Sequence, residues 1–140
     1  MIQRLQTLWL LFAAALAFAT LKLSFFSGNL LVNNVKQFQR FTAMSSIFLM
    51  ILTVAVAIAA LIAIFLYKNR KQQLRISIVV FVVSLINVLL AYLQTKNFVA
   101  EEWSYDITSI IYLAIPVLLA FAIRGIYKDE KLVKSADRLR

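Results

Sequence analysis

This chain of 140 residues has no cysteine and no histidine. Disulfide bonds are therefore excluded, and so are metal sites and catalytic triads that need either residue. Residues that break secondary structure are rare too, with one proline and two glycines. Charged residues make up 15% of the chain, and 6 acids face 15 bases. This scarcity of charge leaves long stretches without any ionised group.

Apolar residues make up 63% of the chain, and the mean hydropathy is +0.86. Ordinary soluble domains are roughly 45–50% apolar and about 25% charged. A small globule keeps much of its surface in water and could not hide this apolar excess. The composition therefore predicts an all-α integral membrane protein.

Four apolar stretches are long enough, or nearly so, to cross a bilayer as helices. The strongest is Phe41–Tyr67, which contains no charged residue. The predicted spans cover about residues 5–23, 43–67, 76–94 and 107–124. They form one transmembrane domain, residues 1–125, followed by a tail, residues 126–140. For the first span we expect a retained helix; the alternative is a signal peptide that is cleaved after Ala17-Phe18-Ala19.

The segment between the first two spans is too polar to cross a membrane. Ser27-Gly28-Asn29 is a turn signal, and the residues up to Arg40 mix amides with apolar side chains. We expect a turn at Gly28, followed by a short amphipathic piece at the membrane interface.

Basic residues indicate the orientation of the chain. The hinge Tyr67–Arg75 carries four of them and no acid. With four spans, both termini and the hinge share one side, which holds eleven basic residues against four on the other. The positive-inside rule places that side in the cytoplasm.

The tail after Gly125 has the pattern of a short amphipathic helix. We expect Gly125 to interrupt the helix, and Leu132, Val133, Ala136 and Leu139 to share one face beyond it. This face can lie on anionic headgroups or dock on a protein, and the sequence leaves both open. The candidate contacts for lipid headgroups or a partner are Arg4, Lys68, Arg70, Lys71, Arg75, Lys128, Lys131, Lys134 and Arg138.

Inside the predicted spans, few residues suggest anything except packing. Apart from Lys22 and Arg124, at the ends of the first and fourth spans, no charged residue lies there, although such residues usually mark transport paths. Asn87 can hydrogen-bond across helices, and Pro116 is expected to kink the fourth one. Alanines recur every four residues and predict close packing of the first and second helices: Ala13, Ala17, Ala55, Ala59 and Ala63.

Three acids cluster in the loop before the fourth span, namely Glu101, Glu102 and Asp106. Carboxylates can bind a hard cation or transfer protons, but no nucleophile or oxyanion donor is evident beside these three. A solvated loop is the simpler interpretation. We therefore expect no catalytic residue, no metal site and no cofactor.

The two ends of the chain suggest a family. The opening M-I-Q-R-L-Q-T and the closing K-D-E-K-L-V-K-S-A-D-R-L-R resemble a family of small four-span inner-membrane proteins of Bacteroidota, a domain of unknown function. The resemblance implies a bacterial inner membrane and brings no catalytic residue. It also suggests that Gln3, Arg4 and the tail meet in space.

The function most consistent with these features is that of a non-enzymatic accessory, assembly or scaffold subunit. A small oligomeric transporter or channel is the alternative, and a lipid-modifying enzyme is a third possibility with only interfacial acids and Tyr105 to support it. The expected partners are membrane lipids with anionic headgroups, other membrane subunits, or a cytoplasmic protein at the tail. The basic residues sit at span ends and in the tail, which does not favour nucleic acid.

Overall fold

The computed structural model describes residues 2–32, 34–99 and 102–138; the side chains of residues 2–4, 134 and 136–138 lie outside that description. The chain forms four helices and three short strands, with two strands between the first and second helices and one between the third and fourth. The helices are α1 (Ile2–Ala19), α2 (Ile47–Phe65), α3 (Arg70–Leu93) and α4 (Ser109–Arg138). The strands are β1 (Ser24–Val32), β2 (Val35–Thr42) and β3 (Trp103–Tyr105).

The four helices pack side by side, each against two neighbours. α1 contacts α2 and α4, and α3 contacts the same two helices. Successive helices run in opposite directions because the sheet follows α1, precedes α2 and lies between α3 and α4. We call the end that carries the sheet the sheet end. The opposite end, where α1 begins and α4 finishes, is the termini end.

Small side chains dominate the core between the helices. α1 contributes Leu10, Ala13, Ala14 and Ala17, while α2 contributes Val56, Ala57, Ala60 and Ala63. Ile115, Leu119, Ala122 and Ile126 complete the core from α4. Small residues allow helix backbones to approach closely, which is how membrane helices commonly associate.

Three helices are long and apolar enough to cross a membrane, over Ile47–Lys68, Arg70–Asn97 and Ser109–Val133. The apolar part of α1, Leu5–Ala19, is shorter. Fifteen residues of helix extend about 22 Å, less than a typical hydrocarbon core of about 30 Å. The chain is therefore a membrane protein with three candidate spans and a shorter apolar helix packed against two of them.

The all-α prediction is wrong, because residues 24–42 form a β-hairpin. β1 lies at the centre of a three-stranded antiparallel sheet with the order β2-β1-β3. The predicted turn at Gly28 falls in the middle of β1. The chain instead reverses between the paired residues Val32 and Val35, where Asn34 has a φ of 61°. Asparagine tolerates this left-handed conformation better than most residues do.

Gly28 is needed for strand packing rather than for a turn. A Cβ atom at this position would lie 2.5 Å from Cβ and 2.7 Å from Cα of Trp103 on β3. Such distances are too short for two carbon atoms. The glycine therefore lets β3 pair closely with β1, and its use in a strand rather than a turn misled the sequence interpretation.

The other glycine does not interrupt a helix either. α4 continues through Pro116 and Gly125 to Arg138, so the predicted separate tail helix is the last part of one long helix. α3 similarly begins at Arg70, within the predicted hinge, and leaves only a short turn over Leu66–Asn69 between α2 and α3. Of the predicted tail face, Leu132 and Val133 are exposed, whereas the side chain of Ala136 and the whole of Leu139 lie outside the described residues.

Candidate functional site

At the termini end, a hydrogen bond joins the first helix to the last. Gln6 Nε2 donates to Asp129 Oδ2 at 2.7 Å, and both side chains are buried. Arg70 Nη1, from the start of α3, donates to the backbone oxygen of Asp129 at 3.4 Å. The Gln6 amide supplies the buried Asp129 side chain with a hydrogen bond in place of the water that burial removes. These contacts tie α1, α3 and α4 together at one end.

Gly125 makes room for this connection. A Cβ atom there would lie 2.8 Å from Gln6 Cγ, closer than two carbons can approach. The glycine lies one turn before Asp129 on the same face of α4. The feature that predicted a helix break from sequence therefore serves close packing of α1 against α4.

At the sheet end, carboxylates after α3 hold the hairpin in place. Asp106 Oδ1 accepts from Ser27 Oγ at 2.8 Å, and Glu102 Oε2 accepts from Asn29 Nδ2 at 3.0 Å. Lys36 Nζ of β2 also donates to Glu102 and forms an ion pair with it. Two of the three predicted acids thus bind the hairpin; Glu101 lies outside the described residues.

The hydrogen bonds from Lys36 and Asn29 lower the pKa of Glu102 below its ordinary value, against a smaller opposing effect of burial. The carboxyl group is therefore ionised at neutral pH and bound to hairpin donors. Among the described residues, no group of three acids or other ligands is placed to hold a metal ion.

Aromatic side chains fix the base of the sheet on the helices. Phe26 is fully buried and stacks on Phe41 with ring centroids 4.7 Å apart. Phe25 contacts the ring of Tyr112 on α4 at 4.9 Å. The Tyr112 hydroxyl donates to the backbone oxygen of Thr20 at 2.9 Å, which satisfies a carbonyl at the end of α1. The sheet is consequently a fixed part of the fold.

The inward face of α3 is small and largely polar. Asn87 Nδ2 donates to Thr53 Oγ1 on α2 at 2.8 Å. Asn87 Oδ1 and Ser77 Oγ are buried and have no hydrogen-bond partner among the described residues. The buried positions of this helix are Gln73, Ser77, Val80, Ser84, Asn87 and Ala91. Their spacing of three and four residues was visible in the sequence but was not recognised there.

Two of the grooves that the described residues form border the sheet. The larger has a volume of about 490 Å³ and is lined by Leu85, Val88, Leu89 and Tyr92 of α3 and by Ser109 and Leu113 of α4, with Phe25 and Tyr105 at its sheet end. The smaller, about 230 Å³, lies between the hairpin and the segment after α3. Its polar lining consists of Gln39, Arg40, Ser45, Gln94 and Asn97.

Five of the nine predicted basic contacts are exposed. Lys68, Lys71, Arg75, Lys128 and Lys131 are exposed, whereas Arg70 is half-buried beside Asp129. The side chains of Arg4, Lys134 and Arg138 lie outside the described residues. The structure therefore spreads the described bases around the termini end and brings only Arg70 into a polar cluster.

The alanines that were predicted to pack between helices differ in burial. Ala13, Ala17 and Ala63 are fully buried in the core, Ala59 is half-buried, and Ala55 is exposed. An α-helix repeats every 3.6 residues, so a strict four-residue stripe rotates by about 40° at each step. The inward stripe of α2 therefore runs through Ala57 and Ala60 rather than Ala55. Pro116 is buried within α4.

Comparison with known families gives one match, over residues 2–139. The chain belongs to the DUF4293 family. This family is described as a domain of unknown function, so membership supplies no activity. No curated protein and no solved structure matches the chain. The features of this DUF4293 domain that could carry a function are thus the two hydrogen-bonded ends, the polar face of α3, the grooves and the hairpin.

Proposed function

We propose that this protein is a non-enzymatic accessory or scaffold subunit, which holds a partner polypeptide at its sheet. The observation that carries the proposal is the free edge of the hairpin. β2 pairs with β1 on one side only, and residues 35–40 along it are exposed. An unpaired strand edge is a template for an added strand.

The hairpin is built to keep this edge in one position. Its base is fixed by Phe26 and Phe41, and its length is held by the hydrogen bonds to Glu102 and Asp106. The hairpin would therefore lose little flexibility when a strand binds to it, and this low entropic cost favours binding. Leu31, Val35 and Phe38 add exposed apolar surface at the far half of the hairpin.

Charge favours an acidic partner segment over a second copy of this chain. Arg40 is exposed, and no carboxylate pairs with it among the described residues. It borders the smaller groove, whose amides and hydroxyl can also donate to a carboxylate. Antiparallel pairing of two β2 strands about Phe38 would place Arg40 opposite Lys36, a like charge that Glu102 already pairs, and would leave Arg40 without a carboxylate of its own.

We further propose that all four helices cross a bacterial inner membrane, with the termini end in the cytoplasm. The positive-inside rule supports this orientation, since the hinge and the end of α4 carry most of the basic residues. The packing of α1 against two longer helices supports a fourth crossing. Alkaline phosphatase fused after Arg140 should be inactive; activity there would overturn the orientation.

The scaffold role is tested by purification from native membranes in mild detergent, followed by mass spectrometry. We expect a reproducible partner that photocrosslinks to a benzoylphenylalanine at Gln37. Arg40→Glu should reduce its recovery at least fivefold, while Lys96→Glu, an equivalent charge reversal at the sheet end, should leave it unchanged. Equal losses in both variants, or a monodisperse protein without a partner, would contradict the proposal.

A transporter or channel is the second candidate, because the buried oxygens of Asn87 and Ser77, within the proposed crossing by α3, have no partner in the described part of the chain. Polar groups within spans commonly mark a path. The small core residues around them argue for close packing instead. Flux through proteoliposomes that Asn87→Leu abolishes would support transport; absence of flux at high protein density would count against it.

A further inference from the structure

The larger groove opens sideways between α3 and α4, toward the surroundings of the helices. Both helices belong to the candidate membrane spans. Leu85, Val88, Leu89 and Tyr92 lie at positions i, i+3, i+4 and i+7 of α3 and form one continuous face. Leu113 faces them from α4. In a membrane, such an opening meets hydrocarbon, so its occupant must be apolar along this wall.

The polar groups of the groove are confined to one end. Tyr92 lies in the last turn of α3, Ser109 is the first residue of α4, and Tyr105 belongs to β3. All three are at the sheet end, whereas Leu85 lies about 10 Å deeper along the helix axis. Tyrosines commonly sit at the level of the lipid headgroups. The occupant should accordingly be polar at the sheet end and apolar toward the middle of the membrane.

A transmembrane partner helix fits this space poorly. A helix is 10–12 Å wide with its side chains, so much of its width would stay outside a groove of about 490 Å³. Phe25 and Tyr105 also line its sheet end, where a crossing helix would have to continue. A thin, flexible chain that ends at the level of Phe25 and Tyr105 is limited neither by the width of the groove nor by these two side chains.

We propose that the groove binds one acyl chain of a phospholipid from the leaflet at the sheet end. The chain lies against the α3 wall and Leu113, and the ester region reaches Tyr92, Tyr105 and Ser109, whose hydroxyls can donate to ester oxygens. The lipid then contacts the helices and the sheet at once. It is therefore an integral component of the protein surface rather than part of the exchanging lipid.

A photoactivatable phospholipid with a diazirine on its acyl chain tests this in proteoliposomes of the full-length protein. We expect labelling concentrated on residues 85–92 and 109–113. Val88→Trp should fill the groove and lower that labelling at least fivefold. Val79→Trp, the same change on an exposed position of α3 outside the groove, should leave it unchanged. Both variants are compared for thermal stability and monodispersity, and Val88→Phe replaces Val88→Trp if the latter fails to fold.

Native mass spectrometry gives an independent measurement. One phospholipid should survive collision energies that strip the others, and the groove-filling variant should lose it. Three outcomes would overturn the proposal. These are labelling spread evenly around the helices, equal labelling of the two tryptophan variants, and a benzoylphenylalanine at Leu89 that crosslinks to a protein in native membranes instead of to lipid.

Discussion

Gln6 and Asp129 are 123 residues apart in the chain, yet Gln6 Nε2 donates to Asp129 Oδ2 at 2.7 Å in a buried contact between the first and last helices. This hydrogen bond joins α1 to α4 at the termini end, while the hairpin lies at the opposite end. It also brings together the two ends of the chain whose sequences resemble the family. The earlier hypothesis named Gln3 and Arg4, whose side chains lie outside the described residues; the described contact uses Gln6.

Removal of the Gln6 amide should destabilise the protein. Gln6→Leu leaves the buried Asp129 carboxylate without its side-chain donor, and an unsatisfied buried polar group costs about 1–3 kcal/mol. The double variant Gln6→Leu/Asp129→Leu should cost less than the sum of the two single variants, because it removes both polar groups together. Thermal unfolding in mild detergent measures these changes as a double-mutant cycle. Additive single effects would show that the two residues do not interact.

The effect of Gly125→Ala on stability should depend on residue 6, with a loss in the native sequence and a gain when Gln6 is replaced by alanine. In the native sequence the new Cβ would press on Gln6 Cγ, so stability should fall. In a Gln6→Ala background that contact is absent, and alanine is favoured over glycine inside a helix by about 0.5–1 kcal/mol. The same unfolding measurement should therefore show a gain there. A gain in both backgrounds would mean that α1 and α4 do not approach closely at this point.

The two alanines Ala55 and Ala60 provide a matched test of the α2 interface. Ala60→Leu places extra methyl groups into a fully buried site, and overpacking of a core costs about 1–3 kcal/mol. Ala55→Leu adds the same atoms to the exposed face and should change stability by less than about 0.5 kcal/mol. Equal effects at both sites would place the inward face of α2 elsewhere.

Acid should loosen the hairpin. The pKa of Glu102 is depressed by Lys36 and Asn29, so its contribution is present above the ordinary glutamate pKa of about 4.3 and is lost as pH falls through the lowered value. Trp103 fluorescence in a Trp9→Phe background should report movement of β3 below about pH 4.

Glu102→Gln is the control for this pH dependence. It should already show the displaced emission at neutral pH and a smaller change on acidification. Unchanged acid sensitivity in the variant would remove Glu102 from the anchoring of the hairpin.

Much of the helical part could be predicted from sequence because uninterrupted apolar runs leave few alternatives in a chain with little charge. The predicted second, third and fourth spans coincide with α2, α3 and α4, although α3 and α4 extend beyond them. The extensions were missed because Arg70–Arg75 and Gly125 resemble loop and breaker signals, and tertiary contacts to α4 and Gln6 overrode them.

The sheet could not be predicted in the same way. A hairpin of short strands is marginal on its own and depends on what covers it. Here it depends on Trp103 beside Gly28, on the aromatic contacts of Phe26, and on acids from a loop about 70 residues later. None of these pairings has a local signature. The acids could be listed from sequence, but not their role as anchors.

By itself, the sequence determined that this is a membrane protein rich in helices. The length of each apolar stretch and its lack of charge are local properties, and a long apolar stretch in lipid must satisfy its backbone hydrogen bonds internally, as a helix does. Only the tertiary structure decided what the glycines and the few polar side chains between distant segments do. Gly28 and Gly125 are sites of close approach, Glu102 and Asp106 anchor a sheet, and Gln6 reaches Asp129. Each of these roles depends on a partner distant in the chain, and it is packing that brings the partners together.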